Sequence, residues 1–236
     1  MQALILAGGL GTRLKPLTNS IPKCLVTVAG KPFLEHVIAR LHVSANVRDI
    51  VLAVGYRAEQ IQNYFGDGSK CNVRIEYSVE NPPRGTGGAL DQARQLIQNE
   101  FLILNGDNLI EMEYGMLIQK FREHSDWVGA LSLYSDPTSK FSKNVFWDGK
   151  TPQINEYSYG SDQDKNYVDA GVKIFRKSIL DYLPNKREFS LEKDILPSLA
   201  RKRQLGAFPI TQCPLEIGNL EQLRETENYL GCGSKS

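Results

Sequence analysis

The chain has no long apolar run, no paired cysteines and no excess of either charge, and each absence narrows what it can be. Its 236 residues include 28 lysines and arginines against 27 aspartates and glutamates, a formal net charge of +1. Such balance gives no general attraction to nucleic acid or to an anionic membrane surface, so basic residues that cluster do so for a local reason. No stretch approaches the roughly 20 apolar residues that span a bilayer. The opening Met1-Gln2-Ala3-Leu4-Ile5-Leu6-Ala7 lacks the basic start and the length of a secretion signal. The cysteines at 24, 71, 213 and 232 form no Cys-x-x-Cys pair, and His36, His42 and His124 lie scattered without metal-ligand spacing. The expected setting is therefore reduced and cytoplasmic, with free thiols and no zinc site. At 41% apolar content, a chain of this length can bury one large core. No linker or internal repeat divides it, so the expected organisation is one domain over residues 1–230 and a flexible tail at 231–236.

What is present is an alternation of patterns. Residues 2–7, 49–54, 73–77 and 101–104 read as strands, and Phe33, Leu34, Val37, Ile38 and Leu41 fall on one helical face. Helices over 59–65 and 89–97 complete the first half, which predicts an α/β fold with a Rossmann-like, doubly wound, mostly parallel sheet. The second half changes character. Strands are expected at 127–134, 144–147, 153–157 and 167–175, with a hairpin turn at Asp148-Gly149, as a mixed or antiparallel extension. Helices over 178–183 and 191–202, a strand at 206–210 and a helix over 219–230 follow. In such sheets the ligand lies outside the carboxyl ends of the strands, where strand order reverses. Segments 8–13, 55–56, 80–88 and 105–107 all follow strands and are expected to converge there.

The first of these segments carries the densest signal. Residues 8–23 read Gly-Gly-Leu-Gly-Thr-Arg-Leu-Lys-Pro-Leu-Thr-Asn-Ser-Ile-Pro-Lys. Gly8, Gly9 and Gly11 let successive backbone amides approach an anion, Arg13, Lys15 and Lys23 supply charge, and a following helical turn would add its dipole. The spacing excludes a P-loop, which needs Gly-Lys-Ser/Thr after four residues. It also excludes a dinucleotide fingerprint, whose third glycine would fall on Leu14. A polyphosphate cradle remains, with a tight strand-to-helix turn as the alternative.

The order Gly-Gly-x-Gly-Thr-Arg-Leu-x-Pro-Leu-Thr, then Pro22-Lys23 and Gly30-Lys31-Pro32, resembles the signature of the sugar-1-phosphate nucleotidylyltransferases. These enzymes make a nucleotide-sugar and pyrophosphate from a nucleoside triphosphate and a sugar 1-phosphate. Cys24 stands where the family usually has proline. The resemblance implies a single-domain nucleotidyltransferase fold, and without a hexapeptide repeat it implies no C-terminal β-helix. It places the nucleotide against Leu6, Ala7, Gly8, Gly9, Gly11, Thr12, Arg13 and Lys23, with Arg13 on the β and γ phosphates and Lys23 at the α-phosphoryl centre. Asp107, in Asn105-Gly106-Asp107, is implied as a catalytic group and Mg²⁺ ligand. Glu216, in Leu215-Glu216-Ile217-Gly218 where the family has Asp-x-Gly, is implied as the second metal carboxylate; a helix-entry glutamate is the alternative. Such a reaction needs no protein nucleophile. The sugar phosphate oxygen attacks the α-phosphorus, and the protein positions and neutralises.

The same resemblance assigns a second glycine-rich stretch to the nucleobase, with Gly85, Thr86, Gly87 and Gly88 near the ring and Arg84 at its edge. Gly-Thr-Gly-Gly-Ala is similar to relatives using GTP with D-glycero-D-manno-heptose 1-phosphate or mannose 1-phosphate. On the sugar side the family's Glu-Lys pair is missing: Tyr157-Ser158-Tyr159-Gly160 stands in that region, and Asp169-Ala170-Gly171 replaces Asn-Ala-Gly. Asn105, Asn144, Asp169 and Gly171 are the implied sugar contacts, with Lys173 a candidate for the phosphate. Two alternatives remain: use of UTP, dTTP or CTP on another sugar phosphate, and a noncatalytic subunit that senses a nucleotide-sugar. The expected partners are a nucleoside triphosphate and a sugar 1-phosphate, without nucleic acid or membrane, in a monomer or homodimer.

Overall fold

The structure is a computed structural model that describes residues 1–160 and 164–233. Its main sheet has seven strands: β1 (Gln2–Leu6), β2 (Asp49–Val54), β3 (Arg74–Val79), β4 (Glu100–Asn105), β5 (Gly129–Tyr134), β6 (Val168–Arg176) and β7 (Leu205–Ile210). They lie in the order β7-β5-β6-β4-β1-β2-β3. Strands β1 to β4 pair in parallel, β6 runs antiparallel to both β4 and β5, and β7 is parallel to β5. The sheet is thus Rossmann-like on one side with a mixed extension on the other. Apolar residues fill both faces of β1. Ala3 and Ile5 join one core with Phe33, Leu41, Phe65 and Phe121, while Leu4 joins another with Leu90, Phe101, Phe189 and Leu199. This two-residue alternation between two covered faces explains why the parallel strands read as continuous apolar runs.

The helices are α1 (Phe33–Ala45), α2 (Ala58–Phe65), α3 (Gly85–Gln92), α4 (Tyr114–Arg122), α5 (Leu196–Arg201) and α6 (Leu220–Gly233). Several differ from expectation. Helix α3 begins at Gly85 rather than at 89, because the Gly87 and Gly88 amides donate to the Phe189 carbonyl and hold the glycines in helical form. Helix α4 is absent from the sequence expectations, although Tyr114, Leu117, Ile118 and Phe121 are buried at helical spacing. The segment expected as a helix over 178–183 is a 3₁₀ turn, Lys177–Tyr182. The helix expected from 191 opens as a π turn, Leu191–Ile195, before α5. Pro197 has no N–H for an i→i−4 bond to Lys193, and the turn before it is widened. Val145–Phe146 and Glu156–Tyr157 pair as a separate ribbon, so Asp148-Gly149 sits within a long connection rather than a tight hairpin turn. Helix α6 continues to Gly233, past the expected start of the tail, and residues 234–236 lie outside the described residues. No helix among the described residues is long and apolar enough to cross a membrane.

Candidate active site

Strand order reverses between β1 and β4, where Leu6 lies opposite Asn105. The chain leaves β1 toward the phosphate-type loop and leaves β4 toward Asp107, and a crevice opens between them, as expected at a topological switch point. Gly106 N–H donates to the Leu6 carbonyl at 2.9 Å and ties the two exits together. The resulting cavity, about 320 Å³, is walled on the β1 side by Leu6, Ala7, Gly8 and Gly9 and on the β4 side by Asn105, Gly106 and Asp107. Lys23 and Cys24 close one end, and Glu80, Gly85 and Thr86 form another wall.

The loop from Gly8 to Lys23 folds back on itself at Gly11. Its φ of 61° and ψ of 32° are left-handed, and a Cβ there would stand 2.9 Å from the Thr18 methyl and 3.0 Å from Lys23 Cβ, so conformation and space both require glycine. Buried Thr18 donates to the Gly11 carbonyl at 2.8 Å. This fold-back brings Lys23 to the cavity, where its ammonium pairs with the Asp107 carboxylate. Gly11, Thr12 and Arg13 do not line the cavity: Thr12 and Arg13 lie exposed on a 3₁₀ turn beyond it. Next to Lys23, burial pushes the Cys24 thiol up to about 12, and Asp107 adds to that rise, so the thiol stays neutral.

Glu216 reaches the same end of the crevice. Its short strand, Leu215–Glu216, pairs antiparallel with Asn108–Leu109, and Ile217 N–H donates to the Asp107 carbonyl at 3.2 Å. Burial raises the Glu216 carboxyl above its ordinary range and the Asp107 charge adds to it. Lys23, a 2.9 Å bond from Gln222 and Arg13 pull the other way. Arg13, Lys23, Asp107 and Glu216 are therefore electrostatic neighbours. A Cβ on Gly218 would stand 3.5 Å from Arg13 Nη2, which puts the guanidinium beside the turn that follows Glu216. Among the described residues no group of three or more His, Cys, Asp or Glu side chains gathers to cage a metal. Two carboxylates whose charges oppose each other fit a hard cation such as Mg²⁺, which takes one or two protein oxygens and completes its shell with water and phosphate.

The second glycine-rich segment divides between the cavity and the packing of the fold. Gly85, with φ 73°, and Thr86 line the cavity, but Gly87 and Gly88 do not. A Cβ on Gly87 would lie 2.3 Å from the Phe189 ring, and one on Gly88 would lie 2.8 Å from the Arg187 carbonyl and 2.5 Å from Arg84 Cβ. These two glycines make room for the 187–189 segment. Arg84 is also absent from the cavity wall. Its side chain crosses Gly88 and its N–H donates to Glu80 Oε2 at 3.2 Å. Glu80 itself was not singled out from sequence. It is 8% exposed, stands 3.8 Å from where a Gly8 Cβ would be, and has its carboxyl raised by burial against the opposing pull of Arg84. Its only sequence signal is an acidic residue directly after a strand, Arg74–Val79.

The implied sugar residues adjoin one another: a Cβ on Gly171 would stand 3.8 Å from Asn105 Nδ2, and hydrogen bonds link Gly171 to Asp169 and Asp169 to Asn144. Asn105 lines the cavity and also an adjoining groove that contains Thr86, Tyr159, Glu192 and Lys193. Asn144 and Asp169 line neither and are engaged with the chain itself. Asn144 Oδ1 accepts the Asp169 N–H at 2.8 Å. The Asp169 carboxylate accepts Tyr157 Oη at 3.1 Å, the Gly171 N–H at 3.1 Å and Lys173 Nζ at 2.9 Å. Gly171, with φ 98°, is buried against Asn108, whose Nδ2 would be 2.5 Å from a Cβ. Lys173 is equally internal: its side chain is 3% exposed, and Glu192 Oε1 lies 3.8 Å away. Glu192 in turn accepts Thr86 Oγ1 at 2.6 Å and Ser190 Oγ at 2.8 Å. A buried polar chain thus runs from Tyr157 through Asp169, Lys173 and Glu192 to Thr86.

Residues 2–231 match the model of the family described as nucleotidyl transferase. The mannose-1-phosphate guanyltransferase of Gibberella zeae is 34% identical over 223 residues, 92% of this chain and 61% of that protein. The mannose-1-phosphate guanylyltransferase catalytic subunit beta of Drosophila pseudoobscura pseudoobscura is 34% identical over 221 residues, 92% of this chain and 59% of that protein. The chain therefore spans roughly three fifths of the length of these curated relatives. HddC from Yersinia pseudotuberculosis, solved in complex with GMP-PN, superposes with a TM-score of 0.81 at 28% identity, covering 97% of this chain and 99% of that one. A putative glucose-1-phosphate thymidylyltransferase from Bacillus anthracis, in complex with sucrose, shares the fold at a TM-score of 0.85 and 20% identity, covering 98% of this chain and 96% of that one. With almost its whole length matched and its glycine loop, lysine and aspartate gathered at the switch point, the chain belongs to the nucleotidyl transferase family.

Proposed function

We propose that this chain transfers the guanylyl group of GTP to a sugar 1-phosphate, mannose 1-phosphate or D-glycero-D-manno-heptose 1-phosphate, and releases pyrophosphate. The observation that carries this reading is the cavity at the switch point, with the Lys23–Asp107 pair at one end and the buried Glu80 carboxylate in its wall. The names of the guanylyltransferase relatives and the GMP-PN bound to HddC support the base.

The sugar phosphate's own oxygen attacks the α-phosphorus while the bond to the leaving pyrophosphate breaks, so the protein holds two anions together and neutralises the charge that develops. Lys23 lines the crevice beside Asp107 and suits the α-phosphoryl group. Arg13, outside the cavity on the loop's far turn, suits the β and γ phosphates and then the pyrophosphate. Gly8 and Gly9 let the phosphates approach the backbone. Asp107 and Glu216 would hold Mg²⁺, which supplies positive charge to phosphate oxygens when bound. A carboxylate only accepts hydrogen bonds. Guanine offers adjacent N1–H and N2–H₂ donors on one edge, and uracil and thymine offer a single N–H, so Glu80 suits guanine. The sugar 1-phosphate would enter the groove beside Asn105 and Thr86. The free thiols Cys24, Cys71, Cys213 and Cys232 accord with a reduced cytoplasmic setting.

The test is a pyrophosphate-release screen of GTP, UTP, dTTP and CTP against a panel of sugar 1-phosphates with Mg²⁺. The expected result is release with GTP and a manno-configured sugar phosphate. In Glu80→Gln, the preference for GTP over UTP should fall by about tenfold to a hundredfold, the scale of one lost bidentate base contact. Equal release from UTP, or an unchanged preference in Glu80→Gln, would remove the guanine assignment. Absence of release with every pair would favour a noncatalytic subunit.

A further inference from the structure

The loop that carries Arg13 and Lys23 is anchored by buried Leu14 and by the Lys23–Asp107 pair, but the backbone between them has few ties of its own. Its backbone bonds are short-range turns, such as Leu14 N–H to Gly11 at 3.0 Å and Asn19 N–H to Pro16 at 3.0 Å, and they do not tie the middle of the loop to the sheet. The carbonyls of residues 18–20 are held by a different element. Tyr56 Oη lies 3.4 Å from the carbonyls of both Thr18 and Asn19, Arg57 Nη2 donates to the Asn19 carbonyl at 2.8 Å, and Gln60 Nε2 donates to the Ser20 carbonyl at 3.0 Å. Three successive loop carbonyls are thus bound by the first turn of α2 and the residues leading into it.

Arg57 provides a second, independent observation. It stands at the N-cap of α2 with φ 53° and ψ 38°, left-handed for a residue that has a Cβ. Glycine would adopt this conformation without cost. The arginine there has its Nε donating to Tyr56 Oη at 2.8 Å and its guanidinium over the Tyr56 ring at 5.2 Å, so the side chain is fixed where it meets Asn19. Six other described non-glycine residues also have positive φ, Ala29 among them, so what sets Arg57 apart is the left-handed backbone together with a side chain fixed on Tyr56 and Asn19.

We propose that Tyr56, Arg57 and Gln60 are positioning residues that set the phosphate loop for the triphosphate. The hold on residues 18–20 fixes Thr18. Thr18 is buried, bonds the Gly11 carbonyl and packs its methyl where a Gly11 Cβ would be. Gly11 opens the turn that bears Arg13, and Lys23 Cβ lies 3.0 Å from the same would-be Gly11 Cβ that the Thr18 methyl meets. One fixed point in the middle of the loop therefore sets both cations. The nucleoside triphosphate as ligand rests on the function proposed above, but the hold on the loop does not.

The experiment is amide hydrogen exchange of the free protein, comparing wild type with Arg57→Gly and Gln60→Ala, followed by steady-state kinetics. Glycine keeps the left-handed backbone and removes only the side chain. Exchange within residues 11–23 is expected to quicken by about tenfold in Arg57→Gly, the effect of losing one or two net hydrogen bonds. KM for GTP should rise by about tenfold, KM for the sugar 1-phosphate should stay the same, and Arg57→Lys should restore part of the loss through a bond to Asn19. Unchanged loop exchange in both variants, or an equal rise in both KM values, would overturn the proposal. If wild type releases no pyrophosphate with any substrate pair, the function proposed above fails while the exchange result still decides this one.

Discussion

The two glycine-rich segments look alike in sequence, and their glycines make room for different things. At Gly9 nothing lies within 4 Å of where a Cβ would stand, and the residue faces the cavity. At Gly87 a Cβ would lie 2.3 Å from a ring carbon of Phe189, so the space is filled by the chain's own 187–189 segment. The first segment is open to approach from outside at Gly9, although Gly11 within it is closed over by Thr18 and Lys23. The second is shaped by a close crossing of two parts of the fold, with only Gly85 and Thr86 left at the cavity. Charge divides in the same way. Lys23 faces the crevice against Asp107, whereas Lys173 is buried between Asp169 and Glu192, and its network ends on Thr86. A glycine run or a lysine therefore reports a ligand only when the structure leaves it facing the crevice.

The largest effect expected on this comparison comes from Lys173→Met. It leaves the Asp169 and Glu192 carboxylates buried without their cation, and removal of one partner from such a cluster costs about 3–5 kcal/mol. Urea unfolding should show that loss, and adding Glu192→Gln should return part of it. Stability within about 1 kcal/mol of wild type would mean that the second segment is not held by this network. The pH dependence follows from both partners. Burial pulls Lys173 down, but Asp169 and then Glu192 outweigh it and hold the ammonium above its ordinary 10.5. Its contribution is full below 10.5 and is lost as pH rises through the higher folded value. Burial pushes Glu192 up, but the Lys173 charge and the bonds from Thr86 and Ser190 hold it below its ordinary 4.5. Its contribution is full above 4.5 and is lost as pH falls through the lower folded value. The gap between wild type and Lys173→Met should therefore narrow as pH rises above about 10, and narrow toward acid pH as the variant's uncompensated carboxylates take up protons.

Gly87→Ala should have the next largest effect. Phe189 is 4% exposed and has little freedom to swing aside, so the added methyl overpacks the site at a cost of about 1–3 kcal/mol. The Gly87 N–H also donates to the Phe189 carbonyl at 3.0 Å, so the shift should carry into Gly85 and Thr86 at the cavity wall. An unchanged unfolding midpoint would show that Phe189 can yield and that the glycine is not needed for packing.

How much of this was legible in the sequence depended on how local the cause was. Strand β2 was readable to its ends at Asp49 and Val54 because a parallel strand covered on both faces is a continuous apolar run. The Gly8 loop and Asp107 were readable because both follow central strands, where a doubly wound sheet exposes its chemistry. Glu80 follows β3, an edge strand, and it meets the Gly8 loop across the intervening β2, a contact that no local pattern announces. The segment from Gly85 to Gly88 read as a loop because its helical start relies on a carbonyl 102 residues further along than Gly87, at Phe189. For Asp169, Asn144 and Lys173 the sequence displays polar types suited to a sugar. Only the fold shows that they satisfy one another.

Gly9→Ala should give the smallest change in stability and the sharpest contrast. Its backbone is not left-handed and nothing crowds its Cα, so alanine fits the folded chain and unfolding should move by less than about 0.5 kcal/mol. The methyl would project beside the cavity wall where the phosphates are proposed to meet the backbone amides, so KM for GTP should rise by about tenfold, the loss of roughly one charge-assisted hydrogen bond. Gly87→Ala and Gly9→Ala should thus show opposite signatures, a loss of stability in one and a loss of nucleotide affinity in the other. The measurement is paired: urea unfolding and KM for GTP on both variants under the same conditions. If Gly9→Ala unfolds early while KM is unchanged, Gly9 too is shaped by its own chain, as Gly11 is. The phosphates would then have to be sought further along the loop, at the exposed turn of Thr12 and Arg13.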